Sequence, residues 1–438
     1  MRRIVLIILS LIFFQKVISQ EVLTVEEAIA EALKKNYDIL LVQKDSSAYS
    51  IDYSYAFWAF LPRLNASASK LWNKNDQTQE FTDGSKRSRK GIRSDNLAAS
   101  VNLNWTLFDG LGMFATRQKL AEFVKLGELN VRNEVVNTVA NVVNNYYNIV
   151  QQKQLSKAIQ EQMSINEERV KLADRKLSVG LGTKPELLQA KVDLNAQKAE
   201  LLKQLTLVDQ LKEQLSQLIG RPLTDSYEVI DTIPINLNLQ LGNILMDIEN
   251  SSPGLQIARK NVDIAGLTLK ERRSERWPTI SFNSAYNFSR INNQVVVNPI
   301  AQALFSMNKG FNFGFSASIP LLNGLTTRRQ IQQAELEIEY QQLFFKNQLS
   351  ILDVKINNSF KDYEYQKRAL ILEEENIALA RENVMIALER FRQGVSTFLE
   401  LREAQKSLQD GNYRLIAARY NTKVAETELL RLKGELVR

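Results

Sequence analysis

The sequence predicts an α+β chain built twice from one helix–strand–strand–helix–helix unit, and three observations predict it. Leu107-Phe108-Asp109-Gly110 recurs as Leu321-Leu322-Asn323-Gly324, and Gly180-Leu181-Gly182-Thr183 recurs as Gly394-Val395-Ser396-Thr397, both at an offset of 214 positions. The segment before each first motif alternates apolar and polar residues, the period of a strand. The segments flanking each second motif carry apolar residues at helical spacing. A duplication of this size makes the chain one pseudo-symmetric structure rather than a string of independent domains. The expected copies are residues 20–220 and 241–438, joined by a linker over 221–240.

Ahead of the first copy, Arg2-Arg3 precedes an apolar run from Ile4 to Phe14, then Gln15-Lys16 and Val17-Ile18-Ser19. That is a basic head, a short apolar stretch and permissive residues before a cleavage point, so residues 1–19 are expected to be an export signal. The run is too short for the ~20 residues of a membrane-spanning helix.

The first copy opens with a helix. Thr24-Val25-Glu26-Glu27 has the spacing of a capping box, and Ala28, Ile29, Ala32 and Leu33 follow as an apolar face. In the second copy the helical stretch from Leu245 to Leu269 is expected to break at Ser252-Pro253-Gly254. Pro62 and Pro278 then end a helix in each copy and begin a strand.

Four strands are expected, over about residues 62–72, 97–108, 278–290 and 311–322. Leu97, Ala99, Val101, Leu103, Trp105 and Leu107 alternate with Ser100, Asn102, Asn104 and Thr106. Ile280, Phe282, Tyr286 and Phe288 share one face opposite Ser281, Asn283 and Asn287. Phe311, Phe313, Phe315, Ala317, Ile319 and Leu321 repeat the pattern against Asn312, Ser316 and Ser318. One aromatic face and one Ser/Asn/Thr face would also suit a soluble sandwich. The export signal and a span of ~9–11 residues favour strands that cross a bilayer at a tilt. Trp105, Phe282, Tyr286, Phe288, Phe311, Phe313 and Phe315 would then sit on the lipid side or in its aromatic girdles. Four strands do not close a barrel, the smallest having ~8, and an open edge in lipid leaves backbone groups unpaired. The strands are therefore expected to be shared between chains.

Two loops join the strands. Asn73 to Asp95 reads as polar and holds Lys86-Arg87-Ser88-Arg89-Lys90, a run that suits a solvated loop or contact with anionic headgroups or sugars. Ile291 to Gly310 carries Val295-Val296-Val297 and Ala303-Leu304-Phe305, which suit an inward-folded partial plug or a contact site.

Helix accounts for the remainder. From Val135 to Val150 two stripes run side by side, Val135, Val139, Val142, Tyr146, Ile149 and Val136, Ala140, Val143, Tyr147, Val150, so this helix meets neighbours on two sides. Leu187, Leu194, Leu201, Val208 and Leu215 fall every seven residues, matched by Leu401, Leu408, Leu415, Thr422 and Leu429. Between Gly110 and Gly180 there is no proline, and roughly seventy helical residues at ~1.5 Å each would reach roughly 100 Å.

The chain holds no cysteine and no histidine. Cys/His zinc sites, thiol nucleophiles, Ser-His-Asp triads, disulfides and a lipidated cysteine are thereby excluded. No phosphate-binding glycine loop and no nucleophile paired with a base stands out, so no catalytic residue, cofactor or metal is expected. Net charge is +7 and scattered, and no nucleic-acid partner is expected.

The export signal, the duplicated unit and the turn Gly-x-x-Thr-x-x-Glu-Leu-x-x-Ala resemble the TolC family of outer membrane efflux proteins. The turn is carried here by Gly180, Thr183, Glu186, Leu187, Ala190 and by Gly394, Thr397, Glu400, Leu401, Ala404. The resemblance spans nearly the whole mature chain and rests on order and spacing together. It implies a homotrimer in the bacterial outer membrane, each chain giving four strands to a twelve-stranded β-barrel continued by a long α-helical periplasmic tunnel. It implies docking on a periplasmic adaptor protein and an inner-membrane pump of RND or ABC type, with substrates passing through without chemistry. The turns at Gly180, Gly182, Thr183, Gly394 and Thr397 would form the periplasmic tip where the adaptor docks. Two acidic positions that narrow the entrance would fall on Glu400 and Glu403, both Glu where members often have Asp. Thr397 and Glu400 also have capping-box spacing, so a cap role for Glu400 stands beside the constriction role. Arg390, Arg392 and Arg402 lie close by and are candidates for ion pairs that hold the tip closed.

The competing expectation is a structural or adhesive envelope protein, a helical rod with no transport role. A rod needs neither a polar barrel face nor an acidic ring, so the polar strand faces favour the duct. Without His or Cys and with six Met, the chain is poor in soft-metal ligands; drugs, metabolites and polypeptides stay open as cargo.

Overall fold

The computed structural model describes residues 21–224, 226–298 and 302–436. The expected export signal lies outside them. In chain order the elements are β1 (Glu21–Leu23), α1 (Val25–Lys35), α2 (Tyr37–Tyr55), a 3-10 turn (Ala56–Phe60), β2 (Arg63–Glu80), β3 (Lys86–Asp109), α3 (Gly112–Ser178), α4 (Lys184–Ile219) and β4 (Tyr227–Val229). Then come α5 (Leu241–Leu245), α6 (Ile248–Ser251), α7 (Pro253–Ser274), β5 (Thr279–Asn293), β6 (Phe305–Ser318), α8 (Thr326–Arg392) and α9 (Phe398–Lys433). The two copies match element for element where it counts: α3 and α8 each run 67 residues, α4 and α9 each 36. Among the described residues no helix is long and apolar enough to cross a membrane.

The chain divides into two compact units, one comprising residues up to Asp45, Glu128–Ile257 and Phe345 onward, the other Ser46–Gly127 and Ala258–Phe344. In the first unit the Thr24 capping box is complete: Thr24 N donates to Glu27 Oε2 at 2.9 Å, and Glu27 N donates to Thr24 Oγ1 at 3.2 Å. All nine stripe residues from Val136 to Val150 are buried and seven of them join the core of the unit, with Val139, Val142, Tyr146, Ile149 and Val150 essentially inaccessible. Both faces of α3 are covered, as two adjacent stripes require. All five heptad positions of α9 are buried, Thr422 among them because its hydroxyl donates to Ala418 O at 2.7 Å. On α4, Leu187, Val208 and Leu215 are buried and Leu194 and Leu201 half-buried.

The expected linker at 221–240 holds a strand. Its β4 pairs in parallel with β1, Val22 opposite Glu228, and Tyr146 locks the pair: its hydroxyl donates to Leu23 O at 2.7 Å and accepts from Ile230 N at 3.2 Å. Three-residue strands carry too little alternation to register in sequence.

The second unit holds a four-stranded antiparallel sheet in the order β2-β3-β5-β6. Strand β3 ends in the first repeated motif. Gly110 and Leu111 both take positive φ, 71° and 69°, as do Gly324 and Leu325 at 62° and 61°. A Cβ on Gly110 would lie 2.3 Å from Ser274 O, so no side chain fits there. Asp109 Oδ2 then accepts from Met113 N at 2.8 Å and starts α3.

Strand boundaries differ from expectation in three places. Residues 73–95, expected as a polar loop, are mostly strand, and the run Lys86–Lys90 lies within β3 rather than in a loop. Cross-strand polar partners hold this extension: Thr78 and Ser88 hydroxyls 3.0 Å apart, Lys86 and Glu80 paired at 3.0 Å. A ribbon wetted on both faces needs no apolar alternation, so its period is invisible in sequence. The fourth strand stops at Ser318 instead of about 322, because Pro320 has no N–H to give the ladder. The connection from β5 to β6 is correspondingly shorter than the expected Ile291–Gly310 loop; within it Val296 and Val297 are buried, and Arg89 Nη1 donates to Val296 O at 3.4 Å.

Candidate functional sites at the sheet and at the helical turns

The sheet register sorts the strand residues onto two faces. On one, Trp105, Phe282 and Phe315 form a row across three strands, followed by Leu103, Ser284 and Phe313, then Val101, Tyr286 and Phe311, then Ala99, Phe288 and Lys309. All seven expected aromatics thus share one face. Phe311, Phe313 and Phe315 are 65–74% exposed, far more than a water-facing protein leaves on three adjacent phenylalanines. Phe282 and Phe315 pack with centroids 5.2 Å apart, Phe311 and Phe313 at 5.8 Å. Trp105 Nε1 donates to Phe60 O at 2.8 Å, which fixes the indole at the helical end of the strands.

The opposite face is a polar ladder. Asn104 Nδ2 donates to Asn283 Oδ1 at 2.6 Å, and Asn283 Nδ2 donates to Ser316 Oγ at 2.9 Å, so one chain of amides and hydroxyls crosses three strands. Ser67 and Ser100 hydroxyls meet at 2.9 Å, and Asn102 Nδ2 donates to Ser100 Oγ at 2.9 Å. A face whose side chains pair with one another is suited to water. The face across the pleat is suited to hydrocarbon.

The helical turns lie in the first unit. At the first turn, Gly180 takes φ 76° and Leu181 N donates to Lys176 O at 2.8 Å, closing α3. Gly182 must lack a side chain, since a Cβ there would lie 2.9 Å from Lys176 Cβ. Thr183 N then donates to Glu186 Oε2 at 3.4 Å, the backward half of a capping box. The second turn repeats the path with Gly394 at φ 75° and Val395 N donating to Arg390 O at 2.9 Å. Its cap differs. Thr397 Oγ1 accepts from Glu400 N at 3.2 Å, but the Glu400 carboxylate does not reach back. The capping box expected at Thr397–Glu400 is therefore only half formed, and the cap leaves the Glu400 carboxylate unused.

Glu400 and Glu403 are both exposed, and their carboxylates enter no hydrogen bond or ion pair among the described residues. With Arg390 they line one cleft of about 540 Å³ between α8 and α9. Arg390 makes no ion pair among the described residues. Arg392 pairs with Glu168, whose hydrogen bond and charge raise its pKa, and with Glu389 at 3.5 Å. Arg402 Nε lies 3.4 Å from Asp193 Oδ2.

Sequence reading missed the most buried charge of the turn region. Arg169 is 2% exposed; its Nη2 donates to Asp193 Oδ2 at 2.6 Å, its Nη1 to Gln405 Oε1 at 2.9 Å, and Phe398 lies against its guanidinium at 5.0 Å. Burial lowers its pKa and the Asp193 charge opposes that. One signal was available: Ile159, Gln162, Asn166, Arg169 and Ala173 recur at spacings of three and four, which continues a helical seam in polar residues, and all five are buried.

A sheet with one lipid-suited and one water-suited face, in a chain that also holds two long duplicated helical hairpins, is the make-up of an outer-membrane channel protein. The chain belongs to the outer membrane efflux protein family, whose sequence model matches residues 28–221 and again 244–435, once in each copy. It is similar to the outer membrane efflux protein BepC of Brucella suis biovar 1 (strain 1330), 22% identical over 419 residues, covering 94% of this chain and 86% of the relative. The probable efflux pump outer membrane protein TtgC of Pseudomonas putida (strain KT2440) is 20% identical over 420 residues, with 93% and 82% covered. Among solved structures, the CmeC outer membrane channel of Campylobacter jejuni has a TM-score of 0.77 at 16% identity, with 94% of this chain and 85% of that one covered. The protein is an outer-membrane exit duct with its helical part in the periplasm, and its family comprises channel proteins rather than enzymes.

Proposed function

We propose that three copies of this chain form the duct, each contributing four strands to a twelve-stranded barrel, and that the duct serves a periplasmic adaptor and an inner-membrane pump of RND or ABC type. The observation that carries this reading is the open sheet. Strands β2 and β6 are its two edges, 18 and 14 residues long, and among the described residues each pairs with one neighbour only. In lipid, unpaired edge groups cost several kcal/mol each. Strands β2 and β6 run in opposite directions, so β6 of one copy meets β2 of the next in antiparallel fashion and the ring closes. The aromatic face then meets lipid and the Asn/Ser ladder lines the pore.

On this reading the turns at Gly180, Gly182, Thr183, Gly394 and Thr397 form the periplasmic tip and the adaptor contact. Glu400 and Glu403 narrow the entrance, and their uncompensated charge in threefold repetition favours cations. Arg392 and Arg402 hold the tip through Glu168 and Asp193. Residues 1–19 direct export and are removed. The test is native mass measurement of the purified mature protein together with planar-bilayer conductance. Three copies and discrete cation-selective steps support the reading; a monomer in every detergent, or a folded trimer silent even with Arg392 and Arg402 neutralised, overturns it.

A further inference from the structure

The aromatic face does not stay apolar to its far end. Past the row of Ala99, Phe288 and Lys309 comes Lys70, Leu97, Arg290 and Met307, then Trp72, Asp95, Asn292 and Phe305, then Lys74 opposite Arg93. Five cations therefore gather on the aromatic face at the hairpin end of the sheet, the end away from the helices. None of them forms an ion pair among the described residues, and Arg290 Nε is buried without a hydrogen-bond partner. Lys74 and Arg93 are directly opposed, an arrangement that costs stability unless an anion lies between or above them. Asp95 is the one carboxylate among these rows and joins no ion pair; Asp76, further out, accepts from Gly91 N at 2.6 Å.

Two of the cations are laid against aromatic rings, Lys70 over Trp72 at 4.9 Å and Lys309 over Phe288 at 5.9 Å. Lys70, Lys74, Arg93 and Lys309 are exposed and Arg290 is half-buried, and long stems of this kind cover apolar surface at the rim of a membrane while the charge stays near water. Their height agrees. Eight residues separate Trp105 from Leu97, and at ~3.3 Å per residue and ~45° tilt that is roughly 19 Å along the membrane normal, against an apolar band of ~25 Å. Counted the same way, the belt climbs from roughly 14 Å at Lys309 through roughly 19 Å at Lys70 and Arg290 to roughly 28 Å at Lys74 and Arg93, so it runs from within the apolar band across its outer rim.

We infer that this belt, Lys70, Lys74, Arg93, Arg290 and Lys309 around Trp72, is a binding site for phosphate-bearing lipid headgroups of the outer leaflet. Phosphate supplies what the face lacks: several acceptor oxygens with negative charge, at the level where acyl chains end, for two guanidinium and three ammonium groups that have no ion-pair partner among the described residues. The site rests on the reading that the aromatic face meets lipid.

The experiment is native mass spectrometry of the detergent-solubilised full-length protein with bisphosphoryl lipid A, with its monophosphoryl form, and with inorganic phosphate as competitor. The triple variant Lys70→Gln/Arg290→Gln/Lys309→Gln is expected to lose bisphosphoryl lipid binding by about tenfold or more. The variant Arg87→Gln/Arg89→Gln, on the polar face of the same hairpin, is expected to bind like wild type, and inorganic phosphate at equal concentration is expected not to displace the lipid. Equal binding by the triple variant, equal loss in the polar-face variant, or displacement by phosphate alone each overturns the proposal. Quenching of Trp105 by brominated acyl chains, scored against Trp105→Phe, separates the two ideas. Quenching with indiscriminate lipid binding sinks the belt alone, whereas an unquenched Trp105 sinks the lipid-facing reading and the belt with it.

Discussion

The Arg169 guanidinium, fully buried, donates to the Asp193 carboxylate at 2.6 Å and thereby ties the helix entering the first turn to the helix leaving it. Gln405 takes a second guanidinium nitrogen, so α9 of the second copy is held at the same point. Removing one partner of a buried pair leaves the other charge uncompensated. Arg169→Ala is expected to destabilise this region by about 3–5 kcal/mol, while the paired change Arg169→Met/Asp193→Leu is expected to be close to neutral. Amide hydrogen exchange over residues 160–200 reads the difference, and unchanged protection in Arg169→Ala would dismiss the clamp.

The uneven legibility of the fold has a physical cause. Trp105, Phe282 and Phe313 announced their face because one side of each strand must be apolar and the other wet. Arg87 and Arg93 announced nothing, since a ribbon wetted on both sides tolerates any polar order. The turns at Gly180 and Gly394 were visible through duplication. Arg169 was not, because a charge on a helical seam reads as a solvated face until the partners Asp193 and Gln405, distant in sequence, are brought to it. Nearness in sequence brings Arg390, Glu400 and Glu403 to one cleft, but which charges pair there is a matter of side-chain geometry that spacing does not carry.

Acid should loosen the first unit through Glu31. Its hydrogen bond with Arg221, at 2.7 and 2.6 Å to Nε and Nη2, outweighs burial and holds the carboxyl below its ordinary value of 4.5. A carboxylate with a lowered folded-state pKa contributes stability that is complete above its unfolded value. The contribution is lost as pH falls through the lower folded value. Arg221→Met is expected to remove about 1 kcal/mol at neutral pH and to flatten the fall in stability below pH 4.5. Melting temperature against pH for both proteins checks it; parallel curves would contradict the assignment.

The two glutamates at the second turn should separate cleanly from the cap. Thr397 supplies the hydroxyl that accepts from Glu400 N, so Thr397→Ala is expected to cost about 1 kcal/mol. Glu400→Ala loses no cap bond from its side chain and should stay within about 0.5 kcal/mol. Glu403→Ala is expected to lower cation preference with stability unchanged. Reversal potentials in a salt gradient decide this, and selectivity identical to wild type would exclude Glu403 from the entrance.

Lipid contact can be tested at one residue. Phe313 stands mid-sheet on the aromatic face, in register with Ser284 and, beyond it, Leu103, and is 70% exposed in the single chain. Placing arginine there puts a charge near the centre of the bilayer, which costs about 2–4 kcal/mol per chain. Phe313→Arg is therefore expected to deplete the assembled, protease-resistant oligomer in the outer-membrane fraction. Asn287 lies on the polar face, opposite Ser100 and Gly310, so Asn287→Arg should assemble normally and change conductance instead. If Phe313→Arg assembled as well as Asn287→Arg, the aromatic face would not be the one that meets hydrocarbon.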